Sequence, residues 1–185
     1  QDVADALKIG KGTIYRYFDT KRDLFQHAVD RVMIQMGAAI DEAVLGEIDP
    51  LDQITGAIRA YLHFFNDHPQ YVEILIQERA AFRDRKKPTY FKYRQANLKR
   101  WQQVYMSLIR HGRIRAIPVD RITDVLGDLI YGTMFTNYVA ARTKSLVDQA
   151  DDIVDIAFNG LLTERERERR GNGRVRRAAE AENEP

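Results

Sequence analysis

Residues 10–18 read GKGTIYRYF, a short stretch rich in hydroxyl and cationic donor groups. Two glycines bracket a lysine, a threonine follows, and two tyrosines flank an arginine before a closing phenylalanine. Hydroxyl and cationic donors at this density suit the recognition of phosphate oxygens and base edges. Gly12 allows a backbone to approach closely. Lys11 and Thr13 stand at the start of a short predicted helix, where they can reach bases or phosphates, and Tyr15 and Tyr17 carry hydroxyls long enough to reach phosphates. Lys21 lies at the N-terminus of the next predicted helix, whose free amides and positive dipole end also suit a phosphate. Ile14 and Phe18 face inward in this reading and hold the segment on its scaffold.

Other chemistries find little support. There are no cysteines, which removes disulfides, thiolate metal sites and cysteine nucleophiles and fits a reducing cytoplasm. His27, His63, His68 and His111 lack metal-ligand spacing, since even His63 and His68 fall on different helix faces. Asp151 and Asp155 share a face, but acids near a helix start are ordinary dipole partners. No glycine loop for phosphate and no nucleophile elbow appears. The expectation is a protein that is not an enzyme and uses no cofactor or metal. The net charge of +2 makes no global case for nucleic acid, so that case rests on local patches. No apolar run is long enough to span a bilayer, no signal peptide opens the chain, and a cytoplasmic location is expected.

The elements that must position these groups are all helical. With 185 residues, 44% hydrophobic and 30% charged, the chain can bury a core. Residues 2–7 end one helix, with Val3, Ala4 and Leu7 on one face; Lys8-Ile9-Gly10 breaks it, and a short helix covers about 11–17. Thr20-Lys21-Arg22-Asp23 matches a capping box and starts a helix to about Leu45, with Leu24, Phe25, Ala28, Val32 and Ile40 as its apolar positions. Asp49-Pro50 opens a helix to about Asn66, and His68-Pro69 opens another to about Phe82. Pro88 opens a long helix to about Arg110, closed by His111-Gly112. Asp120 is the expected N-cap of a helix to about Thr143, and Ser145-x-x-Asp148 caps a last helix to about Leu162. The chain opens in a helical pattern without a methionine, and a segment preceding Gln1 is expected.

Helix, tight break and short aromatic-ended helix over residues 2–18 have helix-turn-helix spacing, in which the second helix enters the major groove. TIYRYF followed by DTKRDLF resembles the signature of the tetracycline-repressor (TetR) family of bacterial transcription regulators, densely over residues 2–25. The resemblance implies an all-α protein: a helix-turn-helix head whose first helix precedes this chain and covers Val3, Ala4, Leu7, Ile14 and Phe18, joined to a larger ligand-binding and dimerisation domain. It implies DNA contacts from Lys11, Gly12, Thr13, Tyr15, Tyr17 and Lys21. Two positions depart from the family pattern: Lys8 stands where the turn usually has glycine, and Gly10 where the recognition helix is often capped by serine.

The expected organisation is a head with its connecting helix over 1–45, an effector-binding and dimerisation domain over 46–163, and a charged, disordered tail over 164–185. Residues 120–143 are apolar nearly all round, and 152–162 carry a wide apolar face with Ala157 and Gly160, so a second copy of the chain is the expected cover. Leu126, Leu129, Thr133, Ile153, Ala157 and Leu161 are the expected interface residues. Tyr61, Phe64, Phe65, Tyr93, Trp101, Tyr105, Tyr131, Met134, Phe135 and Tyr138 are the candidate lining of an apolar ligand pocket, with Arg59, His63 and Asn137 as polar candidates. Residues 83–100 hold eight basic groups and one acid among three aromatics. They read first as a solvated face, then as the mouth of a site for an anionic or acyl-CoA-like ligand, or as a second nucleic-acid surface. The arginine-rich 165–177 stretch reads as a solubilising tail or a salt-sensitive DNA contact. The function expected is a ligand-responsive homodimeric regulator, most simply a repressor released from a palindromic operator by a small apolar effector. The alternatives are a regulator with a protein trigger, and a helical small-molecule-binding protein or enzyme whose head no longer binds DNA.

Overall fold

A computed structural model describes residues 2–161 and Glu164. Among the described residues the regular structure is helical: α1 (Asp2–Ala6), α2 (Lys11–Tyr15), α3 (Lys21–Val44), α4 (Pro50–Asp67), α5 (Pro69–Ala81), α6 (Thr89–Arg110), α7 (Val119–Val139) and α8 (Leu146–Asn159). The chain divides into two units, Gln1–Asp151 and Asp152–Pro185, so the division falls inside α8. The tail beyond Glu164 lies outside the described residues.

The starts of the helices follow from local chemistry. Thr20 Oγ1 accepts from the Asp23 amide at 3.0 Å and begins α3. Asp49 accepts from the Leu51 amide at 2.8 Å, with Pro50 in the first turn of α4 where its missing N–H costs nothing. Ser145 Oγ accepts from the Asp148 amide at 3.1 Å at the head of α8.

Three helices end in the same way. A residue at positive φ follows the helix, its amide returns to a carbonyl three residues back, and the next amide returns five residues back. This is the Schellman closure. Gly112 (φ 66°) does this after α6, Lys8 (φ 55°) after α1 and Ala141 (φ 45°) after α7. Only the first carries a glycine, the residue that adopts this conformation without a Cβ penalty. That explains one correction. The helix expected to run to Thr143 stops at Val139, because Ala141 turns left-handed with no glycine to announce it. It also starts from Pro118, so Asp120 sits in the first turn and is not the N-cap. The second short helix ends at Tyr15 rather than 17, and α8 ends at Asn159, before Gly160 at φ 72°.

The core of the first unit is built on α3 and α4. Val29, Val32, Met33, Met36 and Val44 of α3 pack inward with Ile54, Ile58, Leu62 and Phe65 of α4. Each such side chain contributes about 2 kcal/mol of burial. Gly56 lets the helices approach closely: a Cβ there would lie 3.2 Å from the Ala43 carbonyl oxygen. Of the apolar positions expected on α3, Val32 is buried, Leu24, Phe25 and Ile40 are half-buried and Ala28 is exposed. The expected all-round apolar helix α7 buries Thr123 and Met134 and leaves Val125, Leu129, Phe135 and Val139 exposed. In the second unit Ile153 is buried, while Ile156, Phe158 and Leu161 are exposed.

A buried carboxylate organises the turn between α5 and α6. Glu78 is 1% exposed. Its Oε1 accepts from Arg85 Nη1 at 2.5 Å and from the Thr89 hydroxyl at 2.6 Å, and the Thr89 amide lies 3.1 Å from both carboxylate oxygens. It therefore caps the N-terminus of α6 from another helix. The loop it holds grips the front of α3: Arg22 pairs with Asp84 at 2.7 Å and lies over the Phe82 ring, and Phe25 meets Phe82 edge to face at 5.3 Å. Removing one partner of a buried pair strands the other, so Glu78→Ala should lower unfolding free energy by about 3 kcal/mol or more. Glu78→Gln, which keeps an acceptor for Thr89, should lose less. Urea unfolding followed by circular dichroism measures both.

Candidate functional site

The head presents its donors outward. Lys11, Gly12, Thr13, Tyr15, Tyr17 and Lys21 are all exposed, Tyr17 most of the tyrosines at 75%. Lys11 Nζ lies 5.8 Å from the Tyr15 ring centroid, one helical turn on. Ile14 and Phe18 are half-buried, and Phe18 meets the His27 ring edge on at 5.2 Å. The Asp23 backbone carbonyl 2.9 Å from His27 Nδ1 and the Asp23 carboxylate at 3.1 Å hold this imidazole above its ordinary range. Val3, Leu7 and Ile9 are exposed, whereas Ala4 is buried. The tight turn stands on Lys8, the residue in the left-handed conformation.

The second feature is a cavity of about 150 Å³ between α3, α4, α6 and α7. Of the aromatic candidates, Tyr61, Tyr93, Trp101 and Tyr105 line it. Phe65 is buried core beside Tyr61, and Phe64 stacks toward His68 and Tyr71. Tyr131, Met134 and Phe135 line a different hollow of about 510 Å³ between α5 and α7, with Arg79 and Arg83 at its side. Tyr138 donates to Glu73 at 3.1 Å. Arg59 pairs with Asp151 at 2.8 Å, His63 meets Asp67 at 3.3 Å, and Asn137 donates to the Lys144 carbonyl at 2.9 Å; none of these three lines the cavity. Among the expected interface residues, Leu126 lines the cavity, Leu129 is exposed and Thr133 is half-buried. Ile153 is buried, Ala157 half-buried and Leu161 exposed.

Several lining residues gave no signal in the sequence. Met36, Ile40 and Asp41 of α3 and Ile54, Ala57 and Ile58 of α4 complete the wall. Two glycines decide how α6 seats. At Gly37 a Cβ would overlap the Tyr93 hydroxyl, and at Gly127 it would lie 2.5 Å from Arg94 Nη2. Arg94 reaches over α7 to Asp128 at 2.6 Å and to the Thr123 and Asp124 carbonyls at 3.3 Å. Arg100 pairs with Asp41 across the rim and lies 5.4 Å from the Trp101 ring centroid. The basic 83–100 stretch is thus partly occupied by Glu78, Asp128 and Asp41. Arg83, Lys86, Lys92 and Lys99 stay exposed.

The cavity floor is phenolic. Tyr61 donates to Tyr90 at 3.1 Å, and both are more than nine-tenths buried. Burial pushes Tyr90 up to about 12 and raises Tyr61 and Tyr105 well above the ordinary phenol range, so all three stay neutral at physiological pH. Among the described residues no group of three or more His, Asp or Glu side chains could hold a metal, and no helix is long and apolar enough to cross a membrane.

Comparison with known proteins places this geometry. Residues 1–28 match the family model described as bacterial regulatory proteins, tetR family. The HTH-type transcriptional regulator LuxR of Vibrio harveyi is 20% identical over 145 residues, covering 78% of this chain and 69% of that protein. The fold is similar to that of the TetR family transcriptional regulator PfmR from Thermus thermophilus, with a TM-score of 0.72, 16% identity and 88% of each chain covered. It is also similar to the transcriptional regulator FadR from Bacillus subtilis, solved in complex with stearoyl-CoA, with a TM-score of 0.70, 16% identity and coverage of 86% of this chain and 87% of that one.

Two substitutions test the geometry. Lys8→Gly relieves a left-handed side-chain conformation and should stabilise the head by about 1 kcal/mol, read as slower amide exchange across α1 and α2. Gly37→Ala should push the Tyr93 ring into the cavity. Unfolding should change modestly, while the fluorescence of Trp101, the only tryptophan, shifts as its surroundings fill.

Proposed function

We propose that this member of the tetR family of bacterial regulatory proteins is a homodimeric repressor that leaves its operator when a small, largely apolar effector enters the cavity between α3, α4, α6 and α7. The observation that carries this reading is the continuity of α3. Its first turn holds Lys21, which follows the exposed donors of α2 in the chain, and Met36, Gly37, Ile40 and Asp41 on the same helix form a cavity wall. One rigid rod thus connects the surface that would meet DNA with the surface that would meet ligand.

In this reading residues 1–45 are the head and its connecting helix, 46–163 bind effector and partner copy, and the tail from 164 solvates. Lys11, Thr13, Tyr15, Tyr17 and Lys21 meet bases and phosphates of double-stranded DNA, with Gly12 allowing close approach. Two heads grip successive major grooves of a palindromic site. The exposed apolar residues Leu129 of α7 and Leu161 beyond α8 support a second copy as cover. Ligand between α3 and α6 shifts the population toward a state in which the heads no longer match the operator spacing, provided it binds that state more tightly. The stearoyl-CoA bound to Bacillus subtilis FadR supports a small-molecule trigger in a fold of this kind. The natural setting of such a protein is the cytoplasm, and its role is regulatory rather than enzymatic.

The test is binding to the DNA flanking the protein's own gene at two salt concentrations. Sequence-selective binding should fall at least tenfold in a Tyr15→Ala/Lys21→Ala variant, with a shallower salt dependence from the lost phosphate contact. Equal, weak binding of all sequences by both proteins would refute the reading. Leu129→Glu with Leu161→Glu should shift the sedimentation profile from dimer to monomer; an unchanged profile would rule out this interface.

A further inference from the structure

The cavity wall contributed by α6 is a column of polar-tipped rings and an amide. Tyr93, Asn97, Trp101 and Tyr105 recur every four residues and all line the cavity. Their hydrogen-bonding capacity is not used up. Tyr105 is 7% exposed, and its hydroxyl has no hydrogen-bond partner among the described residues. Among the described residues no fully occluded side-chain nitrogen or oxygen lacks a partner, so the unpaired Tyr105 oxygen is not sealed off, and its side chain lines the cavity. The Trp101 indole N–H is likewise without a protein acceptor among the described residues. Tyr61 and Tyr90 share one hydrogen bond between two O–H groups, which leaves one further donor.

Charge is distributed differently. The two arginines at this cavity are already paired: Arg94 with Asp128 and two α7 carbonyls, Arg100 with Asp41. An anionic headgroup inside would have to displace these partners or lie against neutral phenols in an apolar enclosure, where an unpaired charge is costly. A purely hydrocarbon ligand would leave the spare donors unmatched.

We propose that the cavity selects a compact, uncharged, mainly apolar molecule carrying a neutral oxygen acceptor, such as a ketone or ester, and that Tyr105 donates to that oxygen. The volume of about 150 Å³ resembles that of cavities that admit benzene, so the ligand that fits without opening the helices is roughly the size of one substituted ring. This inference rests on the cavity being the effector site, and its failure is separable from the failure of that reading.

The experiment compares three probes of similar size on the full chain by ligand-observed NMR titration: acetophenone, ethylbenzene and benzoate. Acetophenone should bind most tightly, although ethylbenzene is the more hydrophobic, and benzoate should bind most weakly. Tyr105→Phe keeps the ring and removes the donor. It should weaken acetophenone by roughly 3- to 10-fold, the effect of one neutral hydrogen bond, and leave ethylbenzene unchanged. The variant should unfold no earlier than the wild type, since the hydroxyl it lacks had no protein partner. If ethylbenzene or benzoate binds best, or if Tyr105→Phe leaves acetophenone unaffected, the ligand class is wrong while the cavity remains a binding site. If no probe binds at millimolar concentration while operator binding is intact, both the ligand class and the cavity reading fall.

Discussion

The buried carboxylate of Glu78 is the interaction on which the arrangement of helices depends. A carboxylate taken out of water is tolerated only with paired charge and filled lone pairs, and here Arg85 and the hydroxyl and amide of Thr89 supply both. Because Thr89 is the first residue of α6, the same carboxylate that neutralises Arg85 sets where the longest helix after α3 begins. Everything α6 carries inherits that register: the ring column toward the cavity, Arg94 over α7 and Arg100 over α3. The loop between Phe82 and Pro88 is held by the same contact and carries the groups that grip the front of α3.

That grip matters because α3 is shared. Its early turns hold Phe25 against Phe82 and Arg22 against Asp84, its middle buries Val32 and Met33, and its later turns wall the cavity. An exposed ion pair such as Arg22–Asp84 contributes little by itself, about 0 to 1 kcal/mol. Its position matters more than its strength, since it sits where a rotation of α3 is felt by the head. The two glycine contacts act through space in a similar way. Gly37 and Gly127 lack side chains where α6 presents a phenol and a guanidinium, so Tyr93 and Arg94 can lie close against α3 and α7.

The cavity also shows why lining residues are hard to read from a chain. Tyr93, Trp101 and Tyr105 are visible because aromatic residues recur along one helix face. Met36, Ile40, Ala57 and Ile58 look like any core residues, because a cavity wall and a packed core use the same apolar types and differ only in whether a neighbour arrives opposite. Phe64 and Tyr131 have the composition of lining residues, yet Phe64 packs against His68 and Tyr71, and Tyr131 packs on Tyr90 while lining the hollow between α5 and α7. Leu126, on a helix apolar enough to suggest a partner copy, lines the cavity.

Features that rest on local chemistry are legible along the chain. Thr20, Asp49 and Ser145 cap the helices they were expected to cap, because a side-chain oxygen two or three residues before an amide needs no tertiary partner. The prolines at 50 and 69 and Gly112 mark their boundaries for the same reason, and Lys11, Thr13, Tyr15, Tyr17 and Lys21 are exposed. Features that depend on groups far apart in the chain are set by packing in three dimensions. The left-handed turns at Lys8 and Ala141 carry no glycine, and Glu78 caps a helix that starts eleven residues later. Tyr93 and Arg94 of α6 seat against glycines on two other helices, Gly37 and Gly127. Such features arise from pairwise fit across space, and no window along the sequence contains both halves of the fit.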